Sequence, residues 1–151
     1  MVFTKEVFEK TLKANGMKLT NQRLLVYQVL SSCPGKHLTA EEIYECVKAD
    51  YPDIGLATVY RTIQLLLELN LIDWVNFDDG FIRYEIGSDL SNDQKHHHHH
   101  LICQKCQKVL SFEDDLLDEL EKNIYQKTGF SVVNHKVKLY GICKECGGKL
   151  N

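Results

Sequence analysis

Four cysteines and five consecutive histidines carry the most specific chemistry in this chain. Cys103 and Cys106 form one Cys-x-x-Cys pair, Cys143 and Cys146 form a second, and the run His96 to His100 leads through Leu101 and Ile102 into the first pair. Four soft thiolates in two close pairs suit a tetrahedral structural zinc ion. The 36 residues between the pairs exceed the gap of a simple zinc ribbon and leave room for a helix and a strand. The histidine run lies well inside the chain and continues without a linker, so it reads as native and not as a purification tag. It is too short for a helix. On a strand, neighbouring side chains point to opposite faces, which puts His96, His98 and His100 on one side and His97 and His99 on the other. That geometry predicts up to two metal sites, one per face.

The same reasoning nominates further ligands. A helix from Asp114 to Gly129 would carry Leu116, Leu117, Leu120, Ile124 and Tyr125 on one face, and a strand would follow from Ser131 to Tyr140. On that strand Val133, His135, Val137 and Leu139 share a face, so His135 is expected to point inward with Asp118 of the helix within reach. Imidazole mixed with carboxylate suits divalent Fe, Mn, Co or Zn without choosing among them.

The elements ahead of the histidines read as helices and a hairpin. Thr4 would cap a helix ending near Gly16, and Thr20 a second with Leu24, Leu25, Val29 and Leu30 on its apolar stripe. Thr39-Ala40-Glu41-Glu42 is a capping box for a third, carrying Ile43 and Val47. A fourth runs from about Ala57 to Leu69, with Leu56, Val59, Ile63, Leu66, Leu67 and Asn70 on one side and Ala57, Tyr60, Arg61, Gln64 and Glu68 on the other. Leu71 to Phe77, a turn at Asp78-Asp79-Gly80 and Phe81 to Ile86 make a β-hairpin. Helices followed by a two-stranded hairpin form a winged helix, whose last helix can enter the major groove of DNA. Tyr60, Arg61 and Gln64 are suitable groups for such a face.

Composition agrees with this division. With 151 residues, 44% of them hydrophobic and 26% charged, the chain can build one substantial core or two small ones. No apolar run nears the roughly 20 residues that span a bilayer, and no signal segment is evident, so the expected location is the cytoplasm, without a membrane partner. In that reducing compartment the cysteine pairs are better ligands than disulfides, and Cys33 and Cys46 are expected to be small buried side chains. Net charge is −3, yet residues 1 to 40 balance at +4 while residues 111 to 121 hold six acids and no base. A basic end and an acidic half suggest separate tasks.

Taken together, these motifs resemble the ferric uptake regulator family. The resemblance runs from Gly16-Met17-Lys18-Leu19-Thr20-Asn21-Gln22-Arg23, through Ile54-Gly55-Leu56-Ala57-Thr58-Val59-Tyr60-Arg61 and His96 to Cys103, to Asn134-His135 and the last cysteine pair. It implies an α+β chain: residues 1–86 a winged-helix DNA-binding domain, 87–95 a hinge, and 96–151 a small α/β dimerisation and metal-binding domain with a four-cysteine zinc site. It further implies a homodimeric, metal-dependent repressor acting on double-stranded palindromic operator DNA. A regulatory hinge site would use His37, Glu85, His98 and His100, and a second site His97, His99, Asp118 and His135. DNA contacts would come from Lys18, Arg23, Thr58, Tyr60, Arg61 and Gln64.

Two departures from the family pattern stand out. Ser111 occupies the place of a final acidic hinge ligand, and Gly87 to Lys95 lengthen the hinge. The peroxide-sensing branch resembles a site with aspartates at Glu85 and Ser111, and the zinc-sensing branch often has a cysteine before the histidines. Neither feature is present, so Fe(II) is the expected regulatory metal, with Mn(II), Co(II) or Zn(II) as surrogates or alternatives. A metal-dependent hydrolase lacks support, because no His-Glu-x-x-His helix is present and four cysteines leave zinc no open position. A metal chaperone would have no use for Tyr60 and Arg61.

Overall fold

A computed structural model describes residues 5–33, 36–87, 98–113, 117–133 and 135–149. The chain divides into two compact units, Met1–Gly87 and Ser88–Asn151. Thr4, Pro34 and most of the expected hinge, residues 88–95, lie outside the described residues.

In the first unit, helices α1 (Lys5–Ala14), α2 (Asn21–Ser31), α3 (Ala40–Asp50) and α4 (Leu56–Glu68) precede the hairpin of β2 (Ile72–Asn76) and β3 (Ile82–Ile86). The helix starts follow local chemistry. Thr20 Oγ1 accepts the Arg23 amide at 3.3 Å. Thr39 Oγ1 accepts the Glu42 amide at 3.2 Å, and Glu42 Oε2 accepts the Thr39 amide at 2.8 Å, which completes the capping box. The α2 stripe differs from expectation: Val26, Tyr27 and Leu30 are buried, while Leu24, Leu25 and Val29 are half-buried. The cause is tertiary, because Tyr27 stacks on Phe8 of α1 with ring centroids 4.4 Å apart and so rotates the buried face. On α4 the buried residues are Val59, Thr62, Ile63 and Leu66, whereas Leu56 and Asn70 are exposed. Leu56 sits at the first turn, beyond the edge of the helix packing. Thr62 is accommodated because its hydroxyl donates to the Thr58 carbonyl at 2.9 Å.

The hairpin pairs Trp74 with Tyr84 and Asp73 with Glu85. Its turn uses positive φ at Asp78 and Gly80, and the Asn76 and Asp79 side chains accept the Asp78 and Phe81 amides at 2.8 and 3.1 Å. A two-residue strand, β1 (Leu38–Thr39), pairs with the other edge of β3, giving the order β1-β3-β2. Two residues are too few to show alternation, so β1 was not foreseeable from pattern. Four helices with this small sheet form the winged-helix arrangement.

In the second unit β4 (His98–Cys103) lies between β5 (Val109–Glu113), antiparallel, and β6 (Lys138–Gly141), parallel. Helix α5 (Asp118–Thr128) ends at Gly129, whose φ of 72° allows its amide to reach the Tyr125 carbonyl at 2.8 Å. Three expectations change here. The helix starts at Asp118, with 114–116 outside the described residues. Residues 131–133 and 135–137 are not a strand, which begins at Lys138 where β4 supplies hydrogen-bonding partners. The face assigned to an inner layer is only partly covered: Val133 is 85% and Leu139 53% exposed and α5 has no fully buried residue, while His135 on that face is nearly buried against Glu121 of α5. Among the lone cysteines Cys33 is half-buried and Cys46 exposed, so neither is the buried residue expected.

Candidate metal centres and nucleic-acid face

Cys103 ends β4, Cys106 follows in the next turn, and Cys143 and Cys146 bracket the short 3-10 turn Lys144–Cys146. The four Sγ atoms lie within 4.8 Å of one another, and Cys106 and Cys143 are 3.7 Å apart. Tetrahedral zinc with Zn–S bonds of about 2.3 Å requires sulfurs roughly 3.8 Å apart, so the donor set fits that ion. Backbone chemistry prepares the site. The Cys143 amide donates to Cys103 Sγ at 3.3 Å and, as the largest cause, holds the Cys103 thiol down at about 6. Neighbouring thiols, Cys143 first, push Cys146 up to about 12. One thiolate is favoured, but four crowded thiolates repel, and a divalent cation would relieve that repulsion. Gly148 permits the turn: a Cβ there would stand 2.2 Å from the Ile142 carbonyl oxygen. Lys108, the residue before β5, and Glu145 of the same turn form an ion pair at 2.8 Å.

A second constellation lies within the first unit. Leu38 of β1 faces Tyr84 of β3, so continuing that register places His37 beside Glu85. His37 Nε2 is 2.9 Å from Glu85 Oε2, and both side chains are nearly buried, 7% and 9% exposed. The Phe77 ring meets the His37 ring edge-on at 5.2 Å. An imidazole and a carboxylate held together away from water can share a proton or ligate one cation.

The remaining sequence-nominated ligands lie in the second unit. His98 opens β4 in register with Glu113, and His100, buried, is opposite Ser111. His97 lies outside the described residues. His99 is buried on β4, and its ring centroid is 5.6 Å from that of His135. His135 Nδ1 in turn lies 2.7 Å from Glu121 Oε1, with the two side chains 12% and 10% exposed. Glu121 was missed by sequence reasoning. Its signal was its position three residues after Asp118 on the same face of α5, and the two line one shallow cavity with Tyr125 and Ser131.

On α4, Tyr60, Arg61 and Gln64 are exposed and Thr58 is half-buried. Arg23 Nη1 donates to the Lys18 carbonyl at 2.7 Å, which fixes the segment entering α2. Tyr60 is also engaged within the protein: its hydroxyl donates to Glu41 Oε1 at 2.6 Å. That bond holds the Glu41 carboxyl below its ordinary range and raises the Tyr60 phenol above its own.

Among the described residues no helix is long and apolar enough to cross a membrane. The ferric uptake regulator family model matches residues 14–140. The chain is 42% identical over 141 residues to the ferric uptake regulation protein of Bacillus subtilis (strain 168), covering 93% of each. It is 31% identical over 139 residues to the peroxide-responsive repressor PerR of Staphylococcus aureus (strain USA300), covering 92% of this chain and 88% of that one. The structure of the Helicobacter pylori ferric uptake regulator Fur, described as revealing three functional metal binding sites, superposes with a TM-score of 0.78 at 28% identity. That match covers 99% of this chain and 98% of the other. A winged helix, a four-cysteine cluster and matches spanning nearly the whole chain lead to one conclusion: the chain belongs to the ferric uptake regulator family, whose members are metal-responsive transcription regulators and not enzymes.

Proposed function

We propose that this protein is an Fe(II)-responsive, cytoplasmic repressor that binds palindromic operator DNA as a homodimer when loaded with metal. The observation that best supports this reading is the buried His37–Glu85 pair at 2.9 Å, an imidazole and a carboxylate held together within the winged helix. His37 and Glu85, together with His98 and His100, would hold the regulatory metal. Cys103, Cys106, Cys143 and Cys146 would hold structural zinc, and His97, His99, His135 and the acidic pair Asp118 and Glu121 a further ion. Bound in the regulatory set, Fe(II) supplies a divalent charge that accepts imidazole and carboxylate donors together and favours the conformation in which they converge. His37 precedes β1 and Glu85 lies on β3, so fixing the pair fixes the base of the wing. DNA and metal must then strengthen each other by the same factor. Tyr60, Arg61 and Gln64 would meet base edges or phosphates, with Lys18, Arg23 and Thr58 beside them. The open apolar residues of the second unit, among them Leu110, Phe112 and Leu139, support a paired subunit, since small units rarely leave such surface to water.

Iron is favoured by the 42% identity to a protein named for ferric uptake regulation. A second reading, a peroxide-responsive repressor, has its own support in the 31% identical PerR relatives. Anaerobic fluorescence anisotropy on labelled duplex DNA tests both. Protein retaining its thiolate-bound zinc is titrated without added metal, then with Fe(II), Mn(II) or Zn(II). Binding with Fe(II) and Mn(II) alone supports the iron reading. Binding abolished by stoichiometric hydrogen peroxide with Fe(II) present, and unaffected with Mn(II), supports the peroxide reading. Tight binding without added metal removes the regulatory role of the His37–Glu85 pair.

A further inference from the structure

Glu41 occupies the first turn of α3, one residue before the Glu42 that closes the capping box. Its own carboxylate is therefore available to another group, and Tyr60 of α4 takes it at 2.6 Å. So short a contact marks a charge-assisted O–H···O⁻ bond. A phenol has one proton to donate and lone pairs with which to accept. With that proton committed to Glu41, Tyr60 faces outward as an acceptor, and Tyr60 is 43% exposed.

On the reading that α4 enters the major groove, we propose that Glu41 is a specificity-determining residue, setting Tyr60 to accept a hydrogen bond from the exocyclic amino group of cytosine or adenine. Those amino groups are the major-groove donors; guanine N7 and O6 and thymine O4 are acceptors and would meet Tyr60 lone pair to lone pair. Phosphate oxygens are also acceptors, and the Glu41 carboxylate repels them. The pair thus directs Tyr60 away from the DNA backbone and toward base edges. Glu41 is a positioning residue in this scheme, and Tyr60 is the contact.

The test uses full-length, Mn(II)-loaded protein and duplexes enriched by the wild type from a randomised library. Each enriched position is then replaced singly, and binding is compared for wild type, Tyr60→Phe, Glu41→Ala and Glu41→Gln. Tyr60→Phe is expected to lose the preference for cytosine or adenine at one position of each half-site. Glu41→Ala frees the hydroxyl to donate and is expected to relax the same position by about three- to tenfold, the worth of one hydrogen bond. Glu41→Gln keeps an acceptor for the hydroxyl but removes the charge, so it should retain the preference while binding random DNA more tightly. A structural latch between α3 and α4 would instead weaken all sequences equally. Enrichment of no duplex by the wild type would overturn the DNA-binding reading itself. Enrichment followed by a Glu41→Ala profile parallel to the wild type at every position, or by an unchanged Tyr60→Phe profile, would overturn the role of Glu41.

Discussion

His37 Nε2 and Glu85 Oε2 are 2.9 Å apart in the first unit, and the register of β1 against β3 is what brings them together. Glu85→Gln keeps the shape and hydrogen-bonding reach of the side chain but removes its charge. It is expected to abolish the metal stimulation of DNA binding while leaving the metal-free baseline unchanged. Anisotropy titrations with and without Mn(II) check this, and an unaltered metal response would show that Glu85 is not a regulatory ligand.

Cys143→Ser removes one thiolate from a donor set whose sulfurs lie within 4.8 Å. Zinc content per chain should fall by one ion, and the second unit should lose at least ~5 kcal/mol, since metal binding at a closed site is also folding free energy. Elemental analysis combined with urea unfolding measures both.

Because the Glu121 carboxylate lies 2.7 Å from His135 Nδ1, Glu121→Gln should weaken metal binding at that cluster at least as much as Asp118→Asn. A loss of about 10- to 100-fold is expected, comparable to losing a metal site's supporting partner. Isothermal titration calorimetry on both variants decides the order.

Phe8 is fully buried and stacked on Tyr27. Phe8→Ala should destabilise the first unit by about 3–5 kcal/mol, the usual cost of emptying a buried aromatic site. Denaturant midpoints would show it, with the second unit's transition unmoved.

The wing contains a pH-dependent link. Asp79 Oδ2 is 2.6 Å from Arg83, and that hydrogen bond, as the main cause, depresses the Asp79 carboxyl below its ordinary value. A depressed folded-state value means the contribution is present above the unfolded value of about 3.9 and is lost as pH falls through the folded one. Asp79→Asn should therefore lower the melting temperature slightly at neutral pH, with the difference vanishing in strong acid. Paired melting curves across that range test the sign; the effect stays small because the pair is partly exposed.

Much of this architecture could be read from local signals. Thr20 and the Thr39–Glu42 box announced helix starts because capping depends on atoms within three residues of each other. The Asp78-Asp79-Gly80 turn announced the hairpin for the same reason. The cysteine pairs were legible as ligands because each pair is a single turn of chain. The buried stripe of α2 was less legible, since Tyr27 is placed by Phe8 nineteen residues away. The strand expected from Ser131 failed because alternation without a pairing edge is insufficient, and β4 offers its edge from Lys138 onward.

The sequence by itself determined the donor types, the winged-helix order of elements, and the alternation that separates His99 from His100. Those properties reside in residue identity, short spacing and the two-residue period of a strand. Tertiary structure alone decided which distant groups meet: His37 with Glu85 through a two-residue strand, Glu121 with His135, and Glu41 with Tyr60. Each meeting depends on register or on helix rotation within a packed core, where a shift of one residue sends a side chain to the opposite face. No local pattern encodes that choice.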